Sequence, residues 1–424
     1  MSAGAPARPA ADFHLVSEIL AVGYLGVMAF DVDEVRKEFP ALAGGIAHFD
    51  APGGSQTPAV VADAVAGTLR SSIANRGRIT ASERNADDVV LAARSAIADL
   101  VGVDAGGVVF GRSMTQLTYD FARALAKTWG PGDEVVVTRL DHDANVRPWV
   151  HAAEHAGATV RWADFDPDTS ELDVTGLIDG LSERTRVVAV TAASNLIGTR
   201  PDVRAITDAA HAVGALAYVD GVHFTAHAYP DVDTFGADVF VCSPYKFLGP
   251  HCGVLAARPA LLESVHQDKL LPTTDAVPER FELGTLPYEL LAGTTAAVDF
   301  LASLGDGGTR RDALQSAYDA IEKHEDALRT RLEAELADMT GATIYSRASR
   351  RTPTLLFSLE RMDSSDVHRA LAARDINAPA SSFYALEASR RLGLGDTGAI
   401  RVGLAPYTND DEIDRLLTAL RELS

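Results

Sequence analysis

The sequence predicts an α/β fold: a large domain on a mainly parallel seven-stranded sheet, followed by a smaller α+β domain. Three observations predict it. Between about residues 45 and 258, short β-branched runs alternate with amphipathic helical patterns. Those runs are continuously apolar, as strands are when helices cover both faces of their sheet. Past about residue 305 the texture changes to a long charged helical pattern and a few short strands.

Taken in order, "MSAGAPARPAADF" is small and Pro-containing and reads as disordered. "LVSEILAVGYLGVMAF" (15–30) is apolar, but Glu18 interrupts it and it is too short to span a bilayer. It also lacks the basic start and small-residue cleavage site of a signal peptide. Residues 1–27 are therefore expected to be a disordered extension, with the folded part beginning near Met28. Residues 28–44 form a helix-prone segment expected to pack on the small domain. The large domain is assigned to 45–300 and the small domain to 301–424.

The strand candidates are "GGVVFG" (106–111), "EVVVTRL" (134–140), "TVRWADF" (159–165), "RVVAVTAAS" (186–194), "ALAYVDG" (215–221), "DVFVCS" (238–243) and "GVLAAR" (253–258). Helical patterns lie between them, such as "TQLTYDFARALAKTW" (115–129) and "DVRAITDAAHAVG" (202–214), the second closing on a C-terminal glycine, Gly214. In the last third, a helix over 310–338 leads to "ATIYS", "TLLFSLE", a helix near 364–374, "AIRVGLAPY" and a final helix. The match "GLGDTG" (393–398) to Gly-x-Gly-x-x-Gly precedes a strand, the reverse of the order that dinucleotide binding needs, so it reads as a loop.

Composition narrows the class. The apolar share of 47% and charged share of 23% are those of a soluble globular protein. A net charge of −21 disfavours nucleic acid and anionic membrane surfaces as partners. Two cysteines, Cys242 and Cys252, are too few for a disulfide framework, which points to a reducing cytoplasm.

Sheets of this kind place their sites beyond the strands' carboxyl ends, and the chemically odd residues cluster there. Lys246 in "VFVCSPYKFLGP" follows a buried run directly. Taken alone, that stretch suits a surface lysine in a loop; at a buried position, it suits a neutral, nucleophilic amine. Ser113, Met114 and Thr115 open a helix after "GGVVF", which fits either an anion site or plain N-capping. After "EVVVTRL" come Asp141-His142-Asp143, which suit a metal ligand set, a solvated turn or an imidazole lying on an aromatic ligand. Asn195 follows "RVVAVTAAS", and Asp220 and His223 follow "ALAYV". A carboxylate ending an apolar strand is costly unless it meets a cation. An acid for a cationic nitrogen, a lysine for an aldehyde, a helix start for a phosphate and a flat ring partner together describe pyridoxal 5′-phosphate.

The ordered set "AHFDAPGGSQTP" (47–58), "DHDANVRPW", "YVDGVH", "SPYKFLGP", "FELGT" and "AIRVGLAPYTNDDEIDRL" resembles the class V aminotransferases of PLP-dependent transferase fold type I, and among them the cysteine desulfurase-like proteins. The resemblance implies that Lys246 forms the Schiff base, Asp220 keeps the pyridine nitrogen protonated and His142 stacks on the ring. It implies that His223 reaches the phenolic oxygen with Asn195 beside it, where Asn195 would also meet the substrate, while Ser113, Met114, Thr115 and Ser243 hold the phosphate. Tyr245 stands where the family usually has histidine. Gly284 and Thr285 would reach the phosphate of a neighbouring subunit, which implies a homodimer with shared active sites. Arg401 would clamp the substrate carboxylate, and Arg76 or Arg78 would approach the site.

The resemblance breaks at one place. Desulfurases take up sulfur on a mobile cysteine upstream of that arginine, whereas this chain has "INAPASSFYALEASRRLGLGDTGAIR", with Ser381 and Ser382 and no cysteine. A serine hydroxyl cannot carry a persulfide. The chemistry expected is therefore elimination or C–S lyase chemistry at the α-carbon of an amino acid. Transamination, an isopenicillin-epimerase-like epimerisation and a non-catalytic PLP-fold binding protein stand as alternatives.

Overall fold

The computed structural model describes residues 30–424; the extension read into residues 1–27 lies outside them. A short helix, Val32–Lys37, is capped by the Asp31 side chain, and the chain then enters β1 (Ala47–His48). Seven strands follow: β2 (Val108–Gly111), β3 (Glu134–Thr138), β4 (Thr159–Ala163), β5 (Thr185–Thr191), β6 (Leu216–Asp220), β7 (Val239–Cys242) and β8 (Gly253–Ala257). They form one sheet in the order β2-β8-β7-β6-β5-β3-β4. All pairings are parallel except those of β8, which runs antiparallel to both β7 and β2. The seven runs predicted as strands are the seven strands of this sheet.

Strand ends fall short of the predicted runs for local reasons. Ala105–Gly107 is a 3-10 turn, because Asp104 caps it by accepting the Gly106 N–H at 2.7 Å. β5 stops at Thr191, whose hydroxyl donates to the Ala193 carbonyl at 2.7 Å and turns the chain toward Asn195. The helix Val203–Ala212 stops just before Gly214, which takes φ +79°.

Two apolar clusters cover the faces of the sheet. One holds Phe110, Val190, Val219 and Phe240 with the helices Ala81–Val101 and Tyr288–Ser303; the other holds Val135, Tyr218 and Val241 with Met114–Ala126 and Arg147–Ala156. The C-terminal part has its own sheet, β12-β13-β10-β9, built from β9 (Ala342–Ile344), β10 (Thr354–Leu359), β12 (Ala380–Ser381) and β13 (Ala399–Gly403). Its core joins Phe357, Ile400 and Leu416 to Leu332 of the long helix Arg310–Ala337, and also takes in Ala47 and Phe49. β1 pairs in parallel with β11 (Ile376–Asn377), and Arg36 pairs with Glu412 at 3.0 Å, so the N-terminal arm runs along the C-terminal unit. "GLGDTG" is a loop between the helix Leu386–Arg391 and β13, with Gly393, Gly395 and Gly398 all at positive φ. Among the described residues, no helix is long and apolar enough to cross a membrane.

Candidate active site

The parallel strands deliver their side chains to one edge of the sheet. His142 follows β3, Asn195 follows β5, Asp220 ends β6 and Lys246 follows β7. Because β8 runs the other way, its first residue, Gly253, lies at the same edge, opposite Gly111. A Cβ on Gly253 would sit 2.1 Å from the Ser113 carbonyl carbon and 2.3 Å from the Met114 nitrogen. Only glycine lets β8 pass under the turn that opens the helix Met114–Ala126. There Ser113 caps the helix, its Oγ accepting from the Gln116 N–H at 3.1 Å. Met114 is buried and Thr115 exposed.

Lys246 sits in a 3-10 turn, Pro244–Lys246, that Pro244 starts. Its ammonium donates to the Pro52 carbonyl and lies 4.8 Å from the centroid of the Tyr245 ring. Burial lowers its pKa to about 7; the nearby Arg401 lowers it further, and Asp220 and Asp50 oppose the fall. Asp220 is 4% exposed, and burial raises its carboxyl to about 6. Its Oδ1 accepts the Val222 N–H at 2.9 Å. His142 is pushed down to about 4, first by burial and then by Lys246. It is therefore neutral, and since its Nδ1 accepts from the Ala144 N–H at 3.0 Å, the proton is on Nε2. Behind it, buried Asp141 is raised to about 8 by desolvation and is held by Thr138 and Asn145.

The C-terminal unit closes this edge. Arg401 on β13 is 2% exposed, and its Nη1 donates to the Asn195 carbonyl at 3.0 Å. Its Nε is buried and has no hydrogen-bond partner among the described residues. The Asn195 side chain donates to the Phe383 carbonyl at 2.9 Å, and the Phe383 ring lies over the Arg401 guanidinium with 3.6 Å from Cζ to centroid. His223 is 3% exposed, with Nε2 at 2.9 Å from Thr352 Oγ1 and 3.0 Å from Thr354 Oγ1. Ser243 is buried, and Tyr245 stacks on His251 with ring centroids 4.8 Å apart.

Two groups of predicted residues lie outside this cluster. Arg76 is bound by Asp87 at 2.7 Å and by Glu279 at 3.1 Å, and none of its bonds reaches the site. Gly284 and Thr285 are exposed, and Gly284 takes φ +93°. Conversely, Asp50, the Pro52 carbonyl, Phe383, Tyr384, Thr352 and Thr354 enter the neighbourhood without having been singled out from the sequence. The sequence signal for Phe383 and Tyr384 is a pair of adjacent aromatics directly after Ser381 and Ser382, in the stretch where desulfurases carry their cysteine.

The match to the family model of class-V aminotransferases covers residues 47–416, nearly the whole described chain. The chain belongs to the class-V aminotransferase family. As a class-V aminotransferase-family protein it is a PLP-dependent enzyme, a transferase or a lyase. Curated relatives of this class-V chain include a cysteine desulfurase of Pectobacterium atrosepticum, 31% identical over 93% of this chain and 98% of the relative. Another is the aminotransferase-like protein FGM3 of Gibberella zeae, also 31% identical, over 92% of this chain and 98% of the relative. Among solved structures, the cysteine desulfurase CsdA of Escherichia coli superposes with a TM-score of 0.81 at 27% identity, over 93% of this chain and 98% of that one.

The class-V site fits its cofactor on independent grounds. Asp220 has one bonded oxygen and a carboxyl raised by burial, which a pyridinium would bring back to the charged form. Lys246 offers an amine that is half neutral near pH 7. The Ser113 turn opens a helix of 13 residues with its backbone donors at the same edge.

Proposed function

We propose that this protein acts at the α-carbon of an amino acid and that its reaction is elimination with C–S cleavage, without sulfur passing through the chain. One observation carries the amino-acid reading: Arg401 is buried beside Lys246 with Nη1 occupied and Nε unpartnered. The free in-plane N–H edge of such a guanidinium is the shape that a carboxylate bridges bidentately.

Pyridoxal 5′-phosphate, when bound, supplies an aldehyde for the substrate amine and a ring that accepts electrons from the α-carbon. In this reading, Lys246 holds the aldehyde and then moves the α-proton, for which an amine near pKa 7 is well matched. Asp220 keeps the ring nitrogen protonated, neutral His142 covers the ring, and Asn195 and His223 face the phenolic oxygen. Ser113, Met114, Thr115 and Ser243 hold the phosphate. Gly284 and Thr285, exposed on their own subunit, reach the site of a second copy, making the working form a homodimer.

Elimination is favoured over sulfur transfer by the places of the two cysteines. Cys242 is fully buried and Cys252 2% exposed, and burial raises both thiols, Cys252 to about 11. Neither offers a thiolate to a substrate. Incubation with cysteine and cysteine thioethers tests this. The expected products are pyruvate with free sulfide or thiol, and an unmodified chain by mass spectrometry. A persulfide on Cys242 or Cys252 that sustains turnover overturns it, and so does amino transfer to a 2-oxo acid without loss of sulfur.

A further inference from the structure

Phe383 and Tyr384 both have positive φ, +51° and +59°, where bulky residues are rarely found. The large domain holds this pair from both sides. Asn195 donates its side-chain N–H to the Phe383 carbonyl at 2.9 Å, and the Asp143 N–H donates to the Tyr384 carbonyl at 2.7 Å. The Phe383 ring then lies on the Arg401 guanidinium, and the Tyr384 ring stacks beside His142 with centroids 5.6 Å apart. Tyr384 is 77% exposed, a large apolar face open at the mouth of the site.

A ring stacked on a guanidinium covers its face and leaves the in-plane N–H edge open. A carboxylate on that edge brings its α-carbon, and whatever the β-carbon carries, alongside the Phe383 ring. Tyr384, next in the chain and stacked beside His142, continues that aromatic face. We infer that Phe383, with Tyr384, is a specificity-determining wall that selects amino acids with a bulky apolar side chain. Resting on the elimination reading above, this names the substrate class as cysteine thioethers with an apolar substituent on sulfur. The step balances without an oxidant. Lys246 takes the α-proton, the Cβ–S bond breaks with its electron pair leaving on sulfur, and the thiolate takes up a proton. Water then converts the released 2-aminoacrylate to pyruvate and ammonia.

The test uses the PLP-loaded enzyme and two readouts. Titrating L-phenylalanine and L-alanine while following the cofactor's absorbance gives two dissociation constants, and so tests the wall without any cleavage. The wild type is expected to prefer phenylalanine at least tenfold, and Phe383→Ala to lose at least a tenfold preference. Phe383→Leu should keep most of it. Thiol release from S-benzyl-L-cysteine against sulfide release from L-cysteine tests the substrate class, with kcat/KM expected at least tenfold higher for the thioether. Equal weakening of phenylalanine and alanine in Phe383→Ala would mean that the ring merely steadies Arg401, and would overturn the wall. A wild type that binds phenylalanine tightly but releases no thiol would leave the wall standing and remove both the thioether class and the elimination reading.

Discussion

Arg401 is buried, with Nη1 bonded to the Asn195 carbonyl, the Phe383 ring over its face and Nε unpartnered, and this makes its removal selective. In Arg401→Ala the cofactor should remain, while kcat/KM for amino acids should fall roughly 30- to 1000-fold, as expected for about 2–4 kcal/mol from a lost bidentate charge-assisted contact. Lysine there should recover only part, since a point charge lacks the planar fork. If Arg401→Ala lowers the melting temperature and leaves amino-acid binding alone, the arginine is structural. Lys246 carries the pH prediction. Its pKa is depressed to about 7 by burial, so the neutral, nucleophilic form grows as pH rises through that value. Stopped-flow capture of added cofactor by the apo protein should therefore speed up between pH 6 and 8, by roughly tenfold if one deprotonation controls the rate. A flat profile would show that the amine is not the titrating group. Lys246 was legible because it is chemically out of place just after an apolar strand, whereas Arg401, in the middle of β13, was marked only by the family resemblance. Asp50 was not legible, because its influence on Lys246 and Arg401 comes from a loop brought close only by tertiary folding.

Among the elements, the β8 start and the turn before the helix Met114–Ala126 form one unit, and Gly253 is its narrowest point. In Gly253→Ala the new methyl meets backbone atoms, which cannot rotate away as a side chain can. A loss of about 1–3 kcal/mol is expected from overpacking, together with weaker retention of the cofactor's phosphate. Thermal melts with and without added cofactor check both. A variant of unchanged stability would mean that the turn shifts freely and does not define a phosphate seat. The strands themselves could be read from the sequence, since a continuous apolar run between helices has few other uses. The antiparallel course of β8 could not, because a buried run looks the same in either direction. Nor could the closure of 381–385 over the large domain, since its positive φ values belong to no turn residue.

For the whole molecule, the homodimer reading makes the segment around 266–287 an arm offered to a second copy. Leu271 on it is 99% exposed and Leu270 67%, while Ile79, close to Arg76 and its partner Glu279, is 87% exposed. The root of the arm is firm. Glu282 is buried, paired with Arg94 at 2.8 Å, and accepts the Phe110 N–H of β2 at 2.9 Å, two residues before Gly284. Leu271→Asp should shift the protein toward monomer in light scattering and lower its cofactor content together with it. A dimer that survives this change, and also Ile79→Asp, would place the interface elsewhere.

The contacts between the large domain and the C-terminal unit at this edge are also those that shape the site: Asn195 with Arg401 and Phe383, His223 with Thr352 and Thr354, and Asp143 with Tyr384. The edge where the candidate site residues gather is thus also a polar seam between the two units, added to the apolar cluster that already runs from Phe110 and Phe240 into Leu356, Ala399 and Tyr407. Neither core can loosen without uncovering polar groups that the other satisfies. The enzyme should therefore unfold in a single calorimetric peak, with calorimetric and van't Hoff enthalpies in agreement. Replacing both Thr352 and Thr354 by valine, nearly isosteric but unable to bond His223, should pull that peak into two. If the double variant still melts as one, the cohesion lies elsewhere along the seam, and the site is a passenger on it.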